Sequence, residues 1–466
     1  MALSRIWSAF IIIAIFVAGI KCFVMDNNKT IFSTMIVGRT GDTIRIKTTD
    51  SLSVQKNVLR SLDTSKVYSN GNDKISRTND GRINFFRIQN ADGVIETCKT
   101  AVNLCIGLIG IMALFMGFMN IAERAGGVRF LSKIIGPFFS KIFPEIPKGH
   151  PSMGHMMMNF SANLLGLDNA ATPFGIKAME SLQEINPDKE KASNPQLMFM
   201  CLHASGLTLI PVSIIALRAA ARSQNPMDIF IPCMIATFAA TMAALLIVSF
   251  RQKINIFQPV ILAWVLGISS LIALLIVYIR SLGPDDVQLF SGSLSNGLIL
   301  LIFLSIILGA IYKKIDVFDA FIEGAKGGFE IAVRIIPYLV GMLVAISLLR
   351  TSGSFDALIN GMKSIFAAMG ADTRFVDGLP TALIRPLSGG GARGMMVDTM
   401  RTFGPDSFAG RLSSILQGSS DTTFYVIAVY FGAVGIKNTR YAVGAMLLAD
   451  LVGIITSILV CYLFFG

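Results

Sequence analysis

Histidine is nearly missing from this chain, with three in 466 residues, tryptophan occurs twice, and charged residues make up only 15%. A soluble domain carries roughly 25% charge, so the shortage excludes that class and leaves the membrane. With so few histidines and no HExxH, a zinc enzyme is not expected. Six cysteines (Cys22, Cys98, Cys105, Cys201, Cys233 and Cys461) sit in or beside apolar runs without CxxC spacing, and read as small core residues rather than metal or redox ligands. The GxxxxGK[ST] phosphate loop is absent. Ser388 and Ser419 have no evident histidine partner, so no nucleophilic enzyme is expected, nor any metal or cofactor.

What the chain has is apolarity: 53% hydrophobic residues, with 40 Lys and Arg against 29 Asp and Glu. Its mean hydropathy is +0.64. The basic excess is scattered between apolar runs, as interfacial anchors are, and no nucleic-acid partner is expected. A bilayer about 30 Å thick is crossed by roughly 20 helical residues. Ala101 to Ala122, Ala192 to Leu217, Ile229 to Phe250, Ile254 to Ile279 and Val287 to Tyr312 carry no charge at all. Ile6 to Val24, Ile335 to Leu349, Thr422 to Ile436 and Tyr441 to Phe465 are shorter or interrupted, the last by Asp450. The expected fold is an all-α polytopic membrane protein with about nine transmembrane helices, broken or re-entrant segments and two pseudo-repeats. The first apolar run reads as an uncleaved helix, since no small-x-small site precedes Lys21.

One polar segment, about 26–94, interrupts this pattern. Asp42 to Lys47 and Arg82 to Ile88 alternate polar with β-branched or aromatic residues, and Asn79-Asp-Gly81 and Asp92-Gly93 are turn signals, so a small β-rich extramembrane insertion is expected.

Repetition is the next signal. Ile95-Glu96-x-x-Lys99 and Gly126 return 227 residues later as Ile322-Glu323-x-x-Lys326 and Gly353, each framing a long apolar helix. Each half then has a Gly/Asn/Pro-broken segment, a Ser-rich helix start (Ser205 and Ser419-Ser420) and a closing apolar helix. Duplicated carriers place such discontinuous segments together near the bilayer midplane.

The broken segments hold the candidate site. Between Ser152 and Met179 the chain plants Asn159, Asn163, Asp168, Asn169 and Thr172 ahead of Pro173. Asn159 and Asn163 are i,i+4 neighbours, and backbone freed by a break needs protein or water partners. In the second half Arg385-Pro-Leu-Ser388-Gly-Gly390-Gly-Ala-Arg393 is followed by the polar run Gln417-Gly-Ser419-Ser420-Asp421-Thr422-Thr423-Phe-Tyr425, which is expensive to bury without a purpose. Asn159, Asn163, Asn169, Ser419 and Thr422 would hydrogen-bond a solute. Asp168 and Asp421 would take a cation, a proton or a hydroxyl, and Arg385 or Arg393 would offset that charge. Asp450, alone in the last helix, is a candidate proton or cation site, His155 and His203 candidate proton carriers, and Phe174, Phe424 and Tyr425 candidates to stack on a base. Blander roles stand beside all of these: interhelical bonding for the asparagines and Ser205, helix capping for Asp168 and Asp421, internal charge neutralisation for the arginines, an arginine partner for Asp450, and packing for the histidines and aromatics.

These residues carry a resemblance. Asn163-Leu-Leu-Gly-Leu-Asp-Asn-Ala-Ala-Thr-Pro-Phe-Gly-Ile-Lys-Ala-Met179 resembles the signature of spore maturation protein A. Arg385-Pro-Leu-Ser-Gly-Gly-Gly391, Gly404-Pro-Asp-Ser-Phe408, Gln417 to Val426 and Tyr430 to Tyr441 resemble spore maturation protein B, so the chain looks like a fused form of the pair. The resemblance implies two nucleoside-recognition Gate domains, similar to the membrane parts of concentrative nucleoside carriers and ferrous iron permeases. It implies a multi-pass protein of the bacterial inner membrane and supplies no catalytic residues. In endospore formers the family is associated with dehydration of the spore core, a role not carried over here. The expected organisation is a first helix at 1–25, the insertion at 26–94, an A-like Gate domain at 95–253, a connecting helix and linker at 254–292, and a B-like Gate domain at 293–466. The expected partners are the lipid bilayer, a small polar solute and a coupling cation or proton, with a homo-oligomer left open. The rival to solute passage is a non-transporting scaffold or regulator of the cell envelope.

Overall fold

The computed structural model describes residues 2–24, 30–49, 67–70, 73–77, 83–91, 93–165 and 168–466. The turn signals at Asn79-Asp-Gly81 and Asp92 lie outside the described residues. The chain divides into two compact units, one of Leu3–Val102 with Val340–Met369, the other of Asn103–Leu339 with Gly370–Gly466.

The first unit contains helix α1 (Ala2–Gly19), helix α2 (Ile31–Val37) and four antiparallel strands, β1 (Arg39–Thr49), β2 (Val67–Asn70), β3 (Asp73–Arg77) and β4 (Ile83–Ala91), in the order β1-β4-β3-β2. It also holds the start of α3 (Val94–Arg124), the end of α12 (Val317–Ser352) and α13 (Ser354–Ala368). Trp7 Nε1 donates to Gly341 O at 2.9 Å and Lys21 Nζ to Ser352 O at 2.6 Å, so α1 runs alongside the end of α12.

The second unit is helical. After α3 come α4 (Gly127–Ile142), α5 (Pro151–Leu164), α6 (Asp168–Glu184), α7 (Asn194–Ala204), α8 (Val212–Ala220), α9 (Phe230–Gln252), α10 (Pro259–Arg280) and α11 (Pro284–Tyr312). Beyond α12 and α13 follow α14 (Leu379–Ile384), α15 (Gly389–Phe403), α16 (Phe408–Gly418), α17 (Thr423–Ala433) and α18 (Ala442–Phe465). The repeat read from Gly126 and Gly353 has a structural counterpart: both glycines are left-handed, at φ +82° and +77°, each turning a long helix into the next. Ser193 and Ser407 then cap α7 and α16, each accepting from the backbone three residues on, and each helix runs 11 residues to a break at Ser205 or Ser419.

The two repeats are inverted relative to one another. The closing helices α9 and α18 pack antiparallel: Gln252 at the end of α9 donates to Tyr441 Oη at the start of α18 at 3.0 Å, and Ala240 faces Gly453 midway, 3.3 Å from where a Cβ would stand. Equivalent helices running in opposite senses place the pseudo-two-fold axis in the membrane plane.

The expected fold class is corrected in two respects. Continuous helices long and apolar enough to cross a membrane number seven among the described residues, not nine: Trp7–Val24, α3, α9, α10, Leu289–Tyr312, α12 and α18. The missing two are the runs 192–217 and 422–436. In the first, Gly206 at φ +62° and Pro211 split the chain into α7 and α8, and in the second only the 11 residues of α17 are helical. Eleven helical residues reach about 16 Å, half a bilayer. The β-rich insertion is likewise withdrawn from the class, which is all-α and polytopic. The segment opens in helix α2, and its backbone ladders share a compact unit with α1 and α13 instead of forming a domain. Alternation there signals extended backbone, not an independent core.

Candidate functional site

The second unit brings the broken segments of both halves to one place. Helices α5 and α6 form a hairpin, and its tip accepts the first break: Leu209 N donates to Leu164 O at 2.8 Å. Helices α14 and α15 form a second hairpin, whose tip accepts the second break through Phe424 N to Pro386 O at 3.0 Å. The breaks also touch each other. Asp421 N donates to Ala204 O at 2.8 Å, and a Cβ on Gly206 would lie 3.1 Å from Asp421 N. Backbone groups freed by two interruptions thus satisfy one another, as hydrocarbon depth demands.

Both broken helices run from one end of the unit to the other. The loop before α7 is strapped to the loop after α17: Lys437 N and Asn438 N donate to Glu190 O at 2.9 Å, Ala192 N to Asn438 O at 3.0 Å, and Arg440 Nη1 to Asn194 Oδ1 at 2.8 Å. The opposite ends, the loop after α8 and the loop before α16, are held by charge. Fully buried Arg218 pairs with Asp228 at 2.8 Å and Asp406 at 3.2 Å and donates to Pro405 O at 2.7 Å, while Arg411 meets the other Asp228 oxygen at 2.7 Å. Burial pushes the Asp228 carboxyl up from its ordinary value, and Arg218 and Arg411 pull against that shift.

At the crossing, His203 of α7 is buried at 4% exposure, so each of its ring nitrogens needs a protein partner. Its Nδ1 lies 3.0 Å from Asn159 Oδ1 and 2.8 Å from Asn163 Nδ2. One ring nitrogen serves as donor or acceptor, never both, so it answers only one of these amides at a time. Its Nε2 faces Asp421 Oδ2 at 4.0 Å, and the Asp421 side chain, 44% exposed, opens the cluster to solvent. Tyr430 of α17 stands edge-on to the His203 ring at 4.8 Å between centroids. That approach requires Gly175, where a Cβ would strike the Tyr430 ring and come within 2.8 Å of Asn159 Nδ2. Asn159 Nδ2 in turn donates to Ala171 O at 2.6 Å, closing the α5–α6 hairpin.

The other expected site residues divide between line and frame. Thr172 is half-buried on α6, and the side chains of Asp168 and Asn169, in its first turn, lie outside the described residues. Ser205 Oγ donates to Leu202 O at 2.7 Å, a local helix-end bond, and also to Thr241 Oγ1 at 3.1 Å. Arg385 donates from Nε to Ser420 O at 2.9 Å and again from Nη2 to the same oxygen, and Nη1 reaches Thr422 Oγ1 at 3.5 Å. A Cβ on Gly389 would sit 2.7 Å from Thr422 Oγ1. Ser388 caps α15 through Gly391 N at 3.0 Å, and Gly390 lies in that first turn. Arg393 is half-buried with Nε unpartnered, and Gln417 Oε1 is buried without a donor. Ser419 Oγ donates to Leu416 O at 3.0 Å, Thr422 N to Asp421 Oδ1 at 2.7 Å, and Thr423 Oγ1 to Asp450 Oδ2 at 2.6 Å. Tyr425 is 57% exposed and Phe424 37%, both on the outward side of α17. Among the described residues, no arginine lies within ion-pair distance of Asp450, in place of the pairing expected for it. A groove of about 360 Å³ opens beside the loop straps, lined by Glu180, Gln183, Glu184, Lys189, Ala433 and Val434, and none of these belongs to the crossing.

Sequence reasoning passed over Arg218, Asp228 and Arg411, and underweighted His203 and Tyr430. The available signals were a lone arginine closing the apolar run at 212–217 and a histidine two residues ahead of the Ser205 break.

A family profile described as nucleoside recognition, Gate, matches residues 105–222 and 332–437, the stretches that contain the two hairpins and breaks. Spore maturation protein B of Bacillus subtilis (strain 168) is 50% identical over 173 residues, 37% of this chain and 96% of that protein. Spore maturation protein A of the same organism is 40% identical over 156 residues, 34% of this chain and 80% of that protein. No solved structure matches the chain.

Proposed function

Because the chain belongs to the family of spore maturation proteins A and B and joins both in one multi-pass membrane polypeptide, we propose that it recognises a small polar solute where its two breaks cross, and carries that solute across the bacterial cell membrane. The observation that supports this most is the pairing of inverted repeats with a polar cluster at their crossing, Asn159, Asn163 and His203 inside and Asp421 at the mouth. Asn163 and His203 present both donors and acceptors, and Asp421 adds one negative charge. Such a set suits a neutral or cationic solute rich in hydroxyl, amide or ring-nitrogen groups, a nucleoside among them. Rocking of one repeat against the other would expose the cluster to each side in turn. No chemical step is assigned to the protein.

Thermal-shift measurements on the purified full chain, with nucleosides, free bases, dicarboxylic pyridines and cations, test the reading. Stabilisation by a nucleoside-like compound that is lost in Asp421→Asn and Asn163→Ala is the expected result. A flat response to the whole panel, with no uptake into proteoliposomes, would count against it.

A further inference from the structure

Asp450 is the only charged residue in α18, and it lies near the middle of that span. Its side chain is buried, at 3% exposure. One oxygen, Oδ2, accepts from Thr423 Oγ1 at 2.6 Å; the other, Oδ1, accepts no hydrogen bond of good geometry, although the Ser420 side chain lies beside the carboxyl. Among the described residues, no Lys, Arg or His nitrogen comes within ion-pair distance. An ionised carboxylate with a bare oxygen at membrane depth is strongly disfavoured, whereas the neutral acid removes the charge and keeps the Thr423 bond.

The surroundings supply few alternatives. Along their apolar lengths α9, α10 and α11, three of the elements packed against α18, carry no Asp, Glu, Lys or Arg. Of the charged groups near the break, Arg385 and Asp421 reach Asp450 electrostatically, with opposite sign. On the remaining neighbours, His203 of α7 is held by Asn159 and Asn163, Arg411 of α16 by Asp228, and Tyr430 of α17 is packed on His203. We propose that Asp450 is a proton-binding carboxyl, protonated in this conformation, that loads and releases a proton as the second break opens and closes.

The geometry supplies the link between proton and break. Thr423, which holds Asp450, is the first residue of α17, and Arg385 holds the break through the Ser420 carbonyl. When the proton leaves toward water, the new carboxylate attracts Arg385 and the positive end of α17. Arg385 is then drawn from Ser420 O, and the break loosens. When the proton returns, Arg385 goes back to the carbonyl. The coupling role rests on the carrier reading above, while the protonation itself does not.

The test uses the full chain in lipid vesicles, treated with dicyclohexylcarbodiimide from acidic to alkaline buffer and mapped by peptide mass spectrometry. A pH range crossing the group's titration is expected to lower the adduct on Asp450 by about tenfold or more. The adduct is expected to vanish in Asp450→Asn. Infrared spectra are expected to show a protonated-carboxyl band that Asp450→Asn removes and Asp450→Glu shifts. If Asp450→Asn does not fold, the pH dependence of that band in the unmodified chain decides. A carboxylate-only spectrum at the acid end overturns the proposal, as does labelling that responds to sodium and not to pH. A titrating Asp450 without solute flux would sink the carrier reading alone, and flux with an Asp450 that never protonates would sink this one alone.

Discussion

At the scale of single residues, the site depends on places where a side chain is forbidden as much as on those present. Gly175 is the clearest, because Tyr430 and Asn159 both occupy the volume of its missing Cβ. Gly175→Ala is expected to destabilise the protein by about 1–3 kcal/mol, read as a lower melting temperature in detergent, by forcing the Tyr430 ring off His203. Buried charge gives the largest effect. Asp228 accepts from two arginines, and Asp228→Ala leaves Arg218, with no exposed surface, one carboxylate poorer. A loss of about 3 kcal/mol is expected from breaking such a buried set, against less than about 1 kcal/mol for Glu190→Ala, whose bond to Lys437 is exposed. A chemical-denaturation series on the two variants compares them directly. Equal losses would mean that the Arg218 cluster is solvated in a way its burial does not show.

At the scale of elements, half-helices matter more than spans. Helix α7 is too short to be stable alone, and it begins with a capping box, Ser193 with Gln196, that fixes its first turn. It stops at Ser205 because Gly206 takes a left-handed φ of +62° directly against the Asp421 amide. Ser193→Ala is expected to cost about 1 kcal/mol. Gly206→Ala is expected to cost about 1–2 kcal/mol, and unlike the cap variant to abolish solute-induced stabilisation, since it strains the contact between the two breaks. Melting curves with and without ligand separate these outcomes. The apolar run at 192–217 reads as a span because hydropathy averages over the break. The backbone conformation of Gly206 and Pro211 is what divides it, and a window of composition is blind to that.

At the scale of the whole molecule, the inverted repeats fix which loops share a face in the second unit. Lys189→Cys and Lys437→Cys are expected to be labelled by an impermeant thiol reagent from one side of the membrane, and Gln224→Cys from the other. Paired Glu190→Cys and Lys437→Cys are expected to cross-link on oxidation and to halt flux by tying the two repeats together at one end. Labelling of all three single variants from one side would refute the inverted arrangement. The sequence by itself determined the membrane class, the duplication and the stretches that make the site, because scarcity of charge, Gly/Asn/Pro interruptions and polar residues within apolar runs are local properties. Only the tertiary structure decided that one of the nine runs is a pair of half-helices and another a single one, that the repeats are inverted, and that His203 and Tyr430 meet at the crossing while the Arg218 cluster holds one end of the broken helices. Each of these depends on contacts between residues some 180 to 250 positions apart, such as Arg218 with Asp406 and Glu190 with Lys437, which no local pattern encodes.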